Sequence, residues 1–109
     1  MTYWEEIHTE QIVGFDIVVS VAPEDIDPRG AFDDDGATAQ AIADGVYEWF
    51  MVRVEARRAG VTLGTDYLGG CCYKSAQEFV QAPSDYYGDM VERAVDEARA
   101  TTREITEEA

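Results

Sequence analysis

The chain has 109 residues, 46% of them hydrophobic, with six Tyr, four Phe and two Trp. That is enough apolar material for one compact domain over residues 1–109 that buries a core without disulfides, and too much for a disordered chain. The 23 acidic residues against eight Lys and Arg give a net charge of -15, which excludes nucleic acid and anionic membrane as direct partners because such a surface repels both.

Two hydrophobic alternations open the chain. Ile7, Thr9, Gln11 and Val13 alternate with His8, Glu10 and Ile12, and Phe15, Ile17, Val19 and Val21 then fall two apart with Asp16 and Ser20 between them, the period of half-buried strands. Gly14 between the runs permits a bulge or a tight turn, so residues 3–22 form one bent strand or a short hairpin. Pro23 removes a ladder donor and ends the extended run. The Asp, Pro and Gly content of 24–36 reads as a surface loop. An Ala-rich helix is expected over 38–44, with Asp34 or Asp35 capping its first turn and Gly45 stopping it.

Residues 46–58 form a strong strand, with Phe50, Val52, Val54 and Ala56 on one side and Trp49, Met51, Arg53, Glu55 and Arg57 on the other. The Ala59-Gly60 turn returns the chain into 61–68, where Val61, Leu63 and Tyr67 alternate against Thr62, Gly64 and Asp66. Gly69-Gly70 breaks this strand or marks a bulge, after which Cys71-Cys72-Tyr73 continues it. Ser75-Ala76-Gln77-Glu78 matches a capping box for a short helix through Gln81. Ser84 is placed to cap a long final helix, with Asp85 in its first turn. Tyr87, Met90, Val91, Ala94, Val95, Ala98, Thr102 and Ile105 make its apolar stripe, to be buried on Phe15, Ile17, Val19, Phe50, Val52 and Val54. Residues 104–109 are expected to fray. The fold class is α+β: an antiparallel sheet of three to four strands with a long C-terminal helix and short helices packed on one face.

Few residues suggest chemistry. Asp25, Asp27, Gly30 and Asp33 occupy calcium-loop positions one, three, six and nine, but Arg29 stands at position five and Gly36 where a bidentate Glu is required. Cofactors and metals are therefore not expected. His8 is the only histidine, sits at a polar alternating position and has no Ser or Cys beside it in sequence. The adjacent Cys71 and Cys72 rarely suit a disulfide or a zinc site and read as reduced, packed thiols. Leu68-Gly69-Gly70-Cys71 lacks the ending of a phosphate-binding loop. An enzyme working through Cys71 or His8 is the minority reading, and a protein without catalysis is expected. No secretory leader or run of ~18 apolar residues is evident, which makes the cytoplasm the default location.

The charge itself is uneven. Residues 1–50 carry twelve acids and Arg29 as their only base, whereas 51–109 carry eleven acids and seven bases. The loop at 24–36 concentrates six carboxylates around Arg29. Such a surface can stand in for phosphates in a Lys- and Arg-lined groove. In size, acidity and lack of catalytic motifs the chain resembles the small inhibitors of phages and mobile elements, the anti-CRISPR and anti-restriction proteins that imitate nucleic acid. The resemblance is one of class, carried by the acidic stretch and the overall charge. It implies a non-enzymatic inhibitor acting in the host cytoplasm, whose partner is a basic nucleic-acid-binding protein complex. The carboxylates that would meet that partner are Glu24, Asp25, Asp27, Asp33, Asp34 and Asp35, with Glu5, Glu6 and Glu10 beside them. The alternative is an acidic orphan domain of a salt-adapted or GC-rich host, consistent with Lys74 as the one lysine against seven arginines. Exposed Tyr and Trp on the open sheet face would in that case serve packing or a homodimer.

Overall fold

The period-two patterning becomes a single four-stranded antiparallel sheet in a computed structural model that describes residues 3–32, 35–81 and 85–108. Strands β1 (Glu5–Ile12), β2 (Phe15–Pro23), β3 (Glu48–Arg58) and β4 (Val61–Tyr73) lie side by side in chain order. Helix α1 (Ala37–Ala43) interrupts the chain between β2 and β3, and α2 (Ala76–Gln81) and α3 (Asp85–Glu108) follow β4. The architecture is α+β.

Residues 3–22 adopt the hairpin alternative. Ile12 pairs with Phe15 across a two-residue turn in which Val13 has φ 45° and Gly14 φ 86°. Both residues are left-handed, the turn whose twist matches antiparallel strands. A β-branched residue is strained there, which is why Val13 carries no turn signal in the sequence. Ala59 (φ 52°) and Gly60 (φ 79°) repeat the geometry at the β3–β4 tip.

The core forms where the alternation of the strands meets the stripe of α3. Phe15, Ile17 and Val19 of β2 and Phe50, Val52, Val54 and Ala56 of β3 are buried against Met90, Val91, Ala94, Val95 and Ala98, with Phe79 of α2 closing one side. On β4 the facing differs from the expected alternation. Gly64, Asp66 and Leu68 pair with Ala56, Val54 and Val52 on the helix side, while Val61 and Tyr67 are 57% and 63% exposed. A bulge opposite Ala56 and Arg57 breaks the alternation, so Leu63 packs at the margin of the core. Gly64 is what admits the helix: a Cβ there would fall on the carbonyl oxygen of Ala94 and 2.7 Å from the amide nitrogen of Ala98. Asp66 on the same face is held by Arg93 at 3.3 Å. Gly69-Gly70 forms a second bulge, opposite Met51, and the strand continues through Tyr73.

The helix ends depart from expectation in detail. The N-cap of α1 is Gly36 at φ 83°, with no side-chain cap, so Asp35 does not serve, and Asp34 lies outside the described residues. Gly45 stops α1 as expected, its amide donating to Ile42 at 3.1 Å. At α2, the Glu78 carboxylate accepts the amide of Lys74 at 3.2 Å, one residue further back than in a capping box, and Glu48 of β3 accepts the amide of Ala76 at 2.8 Å. Ser84, the expected cap of α3, is outside the described residues. The segment expected to fray belongs to α3 as far as Glu108, and Ala109 lies outside the described residues. Ile105, in the last turns of the 24-residue α3, is 57% exposed, and the molecule measures 56 × 24 × 24 Å. Among the described residues no helix is long and apolar enough to cross a membrane.

Candidate functional site

The hairpin turns lie at one end of the sheet, and the loop residues 24–32 and α1 lie at the other. Trp49 on β3 anchors that loop. Its indole N–H donates to the carbonyl of Ile26 at 2.8 Å, Phe32 meets its ring edge-on at 5.6 Å, and its own carbonyl accepts the amide of Glu24 at 3.3 Å. An aromatic on the outward side of a strand thus fixes the path of the acidic loop.

The nine carboxylates expected to form the surface do not share one role. Glu24 is half-buried, with Oε2 enclosed and without a donor beside Gly69. Burial first, and then the charge of Glu24, push the Cys71 thiol up to about 11, so the thiol stays protonated at neutral pH. Asp27 is turned onto Arg29, accepting its backbone amide at 2.9 Å and its guanidinium at 2.7–3.1 Å. The side-chain hydrogen bond of Arg29, with its amide and charge, holds the Asp27 carboxyl below the usual range. Glu10 accepts the Tyr87 hydroxyl at 2.6 Å. Burial and this bond push the Tyr87 hydroxyl well above its ordinary pKa. His8 stands 3.8 Å from the same carboxylate and edge-on to the Tyr87 ring. Asp27 and Glu10 are therefore engaged inside the molecule, and Glu24 is partly enclosed beside Gly69 without a donor.

Glu5, Glu6, Asp25 and Asp35 are exposed and make no hydrogen bond or ion pair among the described residues. Glu5 pairs with Val21 and Glu6 with Ser20, so the two side chains leave β1 on opposite faces at the loop end of the sheet. Asp33 and Asp34 lie outside the described residues.

Among the described residues a different carboxylate has the most partners. Glu55, 6% exposed on the sheet face opposite α3, accepts Thr62 Oγ1 at 2.7 Å and Arg57 Nη2 at 3.1 Å on both oxygens. Arg53 Nε lies 3.3 Å away yet has no hydrogen-bond partner, because it sits off the hydrogen-bond line and contributes charge alone. Burial pushes the Glu55 carboxyl up, but the Thr62 and Arg57 hydrogen bonds and the two arginine charges outweigh it and hold the group below its usual range. Arg53 also lies 4.7 Å over the Trp4 ring, which packs on Tyr67 at 6.1 Å, so the N-terminal aromatic covers the sheet.

No family model matches the chain, and no curated protein or solved structure matches it.

Proposed function

We propose that the protein is a non-enzymatic inhibitor that occupies the basic groove of a nucleic-acid-binding effector of the CRISPR or restriction type, offering carboxylates where the effector expects phosphates. The observation that carries this reading is the set of exposed carboxylates without internal partners at one end of the sheet, Glu5, Glu6, Asp25 and Asp35, joined in sequence by Asp33 and Asp34. Their charge is uncompensated, and the Trp49 anchor holds the loop that bears Asp25. Phosphate mimicry needs this combination, because charges fixed in place recover more interaction energy in a complementary groove than charges on mobile side chains.

The test is displacement of a labelled DNA duplex from purified CRISPR effector complexes and restriction enzymes, followed by fluorescence anisotropy. The wild-type chain should displace the duplex from its target and should weaken steeply between low and physiological salt. Reversal of Glu5, Glu6, Asp25 and Asp35 to Lys should weaken displacement roughly 100-fold. Displacement that ignores both salt and the reversal would sink the proposal.

A second reading is favoured by a separate observation. Exposed acids continue along α3 at Asp89, Glu92, Asp96 and Glu97, far from the loop in sequence, as they would in a domain made acidic throughout for solubility in a salt-rich cytoplasm. That reading predicts a thermal melt that requires molar KCl, whereas the inhibitor should melt cooperatively at low salt.

A further inference from the structure

Helices α2 and α3 pack on one face of the sheet, and the other face is left to the strands' own side chains, to Trp4 and, at Trp49, to the loop. The register sets that open face in rows across the strands. Gln11, Asp16, Arg57 and Thr62 form the row nearest the hairpin turns, Thr9, Val18, Glu55 and Thr65 the next, and Glu6, Ser20, Arg53 and Tyr67 the one after. Charge on these rows is nearly balanced, with Glu6, Asp16 and Glu55 against Arg53 and Arg57, in a chain whose net charge is -15. Two copies can therefore meet here without the repulsion that the rest of their surface imposes. Trp4 over Arg53 and the 63% exposed Tyr67 beside it add the side-chain types enriched at interface centres.

The two halves of this face complement each other. On the half formed by β1 and β2, Thr9, Glu10, Gln11, Asp16 and Val18 line a groove of about 320 Å³. Asp16 accepts Gln11 Nε2 on Oδ1 at 3.0 Å and keeps Oδ2 without a donor among the described residues. On the half formed by β3 and β4, Arg57 spends Nε and Nη2 on Glu55 and keeps Nη1. Asp16 and Arg57 are cross-strand neighbours, yet Arg57 is turned onto Glu55 and no ion pair joins it to Asp16 within the chain. A guanidinium entering the groove from above the sheet would meet a free carboxylate oxygen and the Gln11 side-chain carbonyl.

Symmetry supplies that guanidinium. A two-fold axis parallel to the strands, midway between two stacked sheets and over the line between β2 and β3, sets β2 against β3 and β1 against β4 of the other copy. Because Asp16 and Arg57 share a row, this one operation brings Arg57 of each copy to Asp16 of the other, as an isologous interface requires. Sheets stacked in this way lie about 10 Å apart, a gap that an arginine from one side and a carboxylate from the other can span.

We infer that the chain pairs with a second copy of itself through this face, with Arg57 of each copy in the groove of the other. The inference does not rest on the inhibitor reading. It places the loop ends of both copies at the same end of the pair.

The test is sedimentation equilibrium of the full chain. Wild type should give the mass of two chains, with a roughly micromolar dissociation constant. Asp16→Arg and Arg57→Asp should each weaken pairing at least about tenfold, because each substitution breaks its contact twice. An equimolar mixture of the two variants should associate again, since each swapped charge then faces its swapped counterpart while the native Arg57 and Asp16 still face each other. Thr9→Glu, at an exposed position on the groove wall, sets a carboxylate toward Thr65 and Glu55 of the second copy and should also weaken pairing. It decides the matter together with Asp16→Arg if Arg57→Asp, which faces Glu55 in its own chain, does not fold. A wild-type chain that stays monomeric at roughly millimolar concentration, a dimer indifferent to Asp16→Arg and Thr9→Glu, or a mixture of folded variants that fails to associate would overturn the inference. None of these substitutions touches Glu5, Glu6, Asp25 or Asp35. If wild type is monomeric and duplex displacement still responds to reversal of those four, the interface fails and the inhibitor reading stands. If the chain pairs as described and the reversal leaves displacement intact, the inhibitor reading fails and the interface stands.

Discussion

Glu55 and Asp25 carry the same charge near opposite ends of one sheet, and their surroundings could hardly differ more. Glu55 is buried between two arginines and a threonine hydroxyl, whereas Asp25 faces water without a partner among the described residues. The first arrangement uses its charge inside the molecule and contributes stability. The second leaves its charge for something else. An acid count alone cannot separate the two, although they bear on entirely different properties.

If the tip of the sheet is structural and the loop end is not, substitutions should divide the same way. The largest effect is expected at Gly64. Alanine there overlaps the backbone of α3 and should cost about 3 kcal/mol in urea denaturation. A tolerated Gly64→Ala would mean that the helix does not sit on β4 as described. Glu55→Gln should cost about 2 kcal/mol by removing the charge that the half-buried Arg57 and Arg53 face. The pH dependence sharpens this expectation. Because the folded Glu55 pKa is depressed, its contribution is fully present above the ordinary carboxylate value of 4.5 and is lost as pH falls through the lower folded value. Thermal melts of wild type and variant should therefore differ at pH 7 and draw together as pH falls below 4.5.

A gain is expected at the turn between β1 and β2. Val13→Gly relieves a β-branched residue at φ 45° and should stabilise the hairpin by about 1 kcal/mol. A loss instead would show that packing of Val13 outweighs its strain. The smallest effects belong to the loop end. Asp25→Asn or Asp35→Asn should change stability by no more than about 0.5 kcal/mol, measured in the same denaturation series. A larger loss would assign these acids a structural duty like that of Glu55.

Much of the frame is legible in the sequence because its periods are local. The alternation of Phe15, Ile17 and Val19, that of Phe50, Val52, Val54 and Ala56, and the stripe from Met90 to Ala98 all mark the face that is buried. The hairpin at Val13-Gly14 is less legible, because a β-branched residue rarely takes a positive φ. The role of Gly64 escapes the pattern, since nothing in the alternation says that a helix backbone will lie on it. The candidate site is the least legible. Tyr87 is 77 residues from Glu10 and Thr62 is on the strand after Glu55, so sequence proximity cannot sort partnered carboxylates from free ones. Asp27 is an exception. Its bonds to Arg29 span two residues, and the Asp-Pro-Arg turn can be read directly. Tyr47 and Trp49 are visible as an aromatic excess, but that Trp49 turns onto Ile26 and Phe32 depends on the path of the loop.

Position, and not total charge, is what makes the loop end a binding surface in this proposal. Duplex displacement from the same effector panel should be compared for two variants with equal charge change, one carrying Lys at positions 5, 6, 25 and 35 and the other carrying Lys at positions 89, 92, 96 and 97 on α3. The first should lose displacement, and the second should retain it to within a few-fold at physiological salt. Equal loss in both variants, or no loss in either, would contradict the central claim.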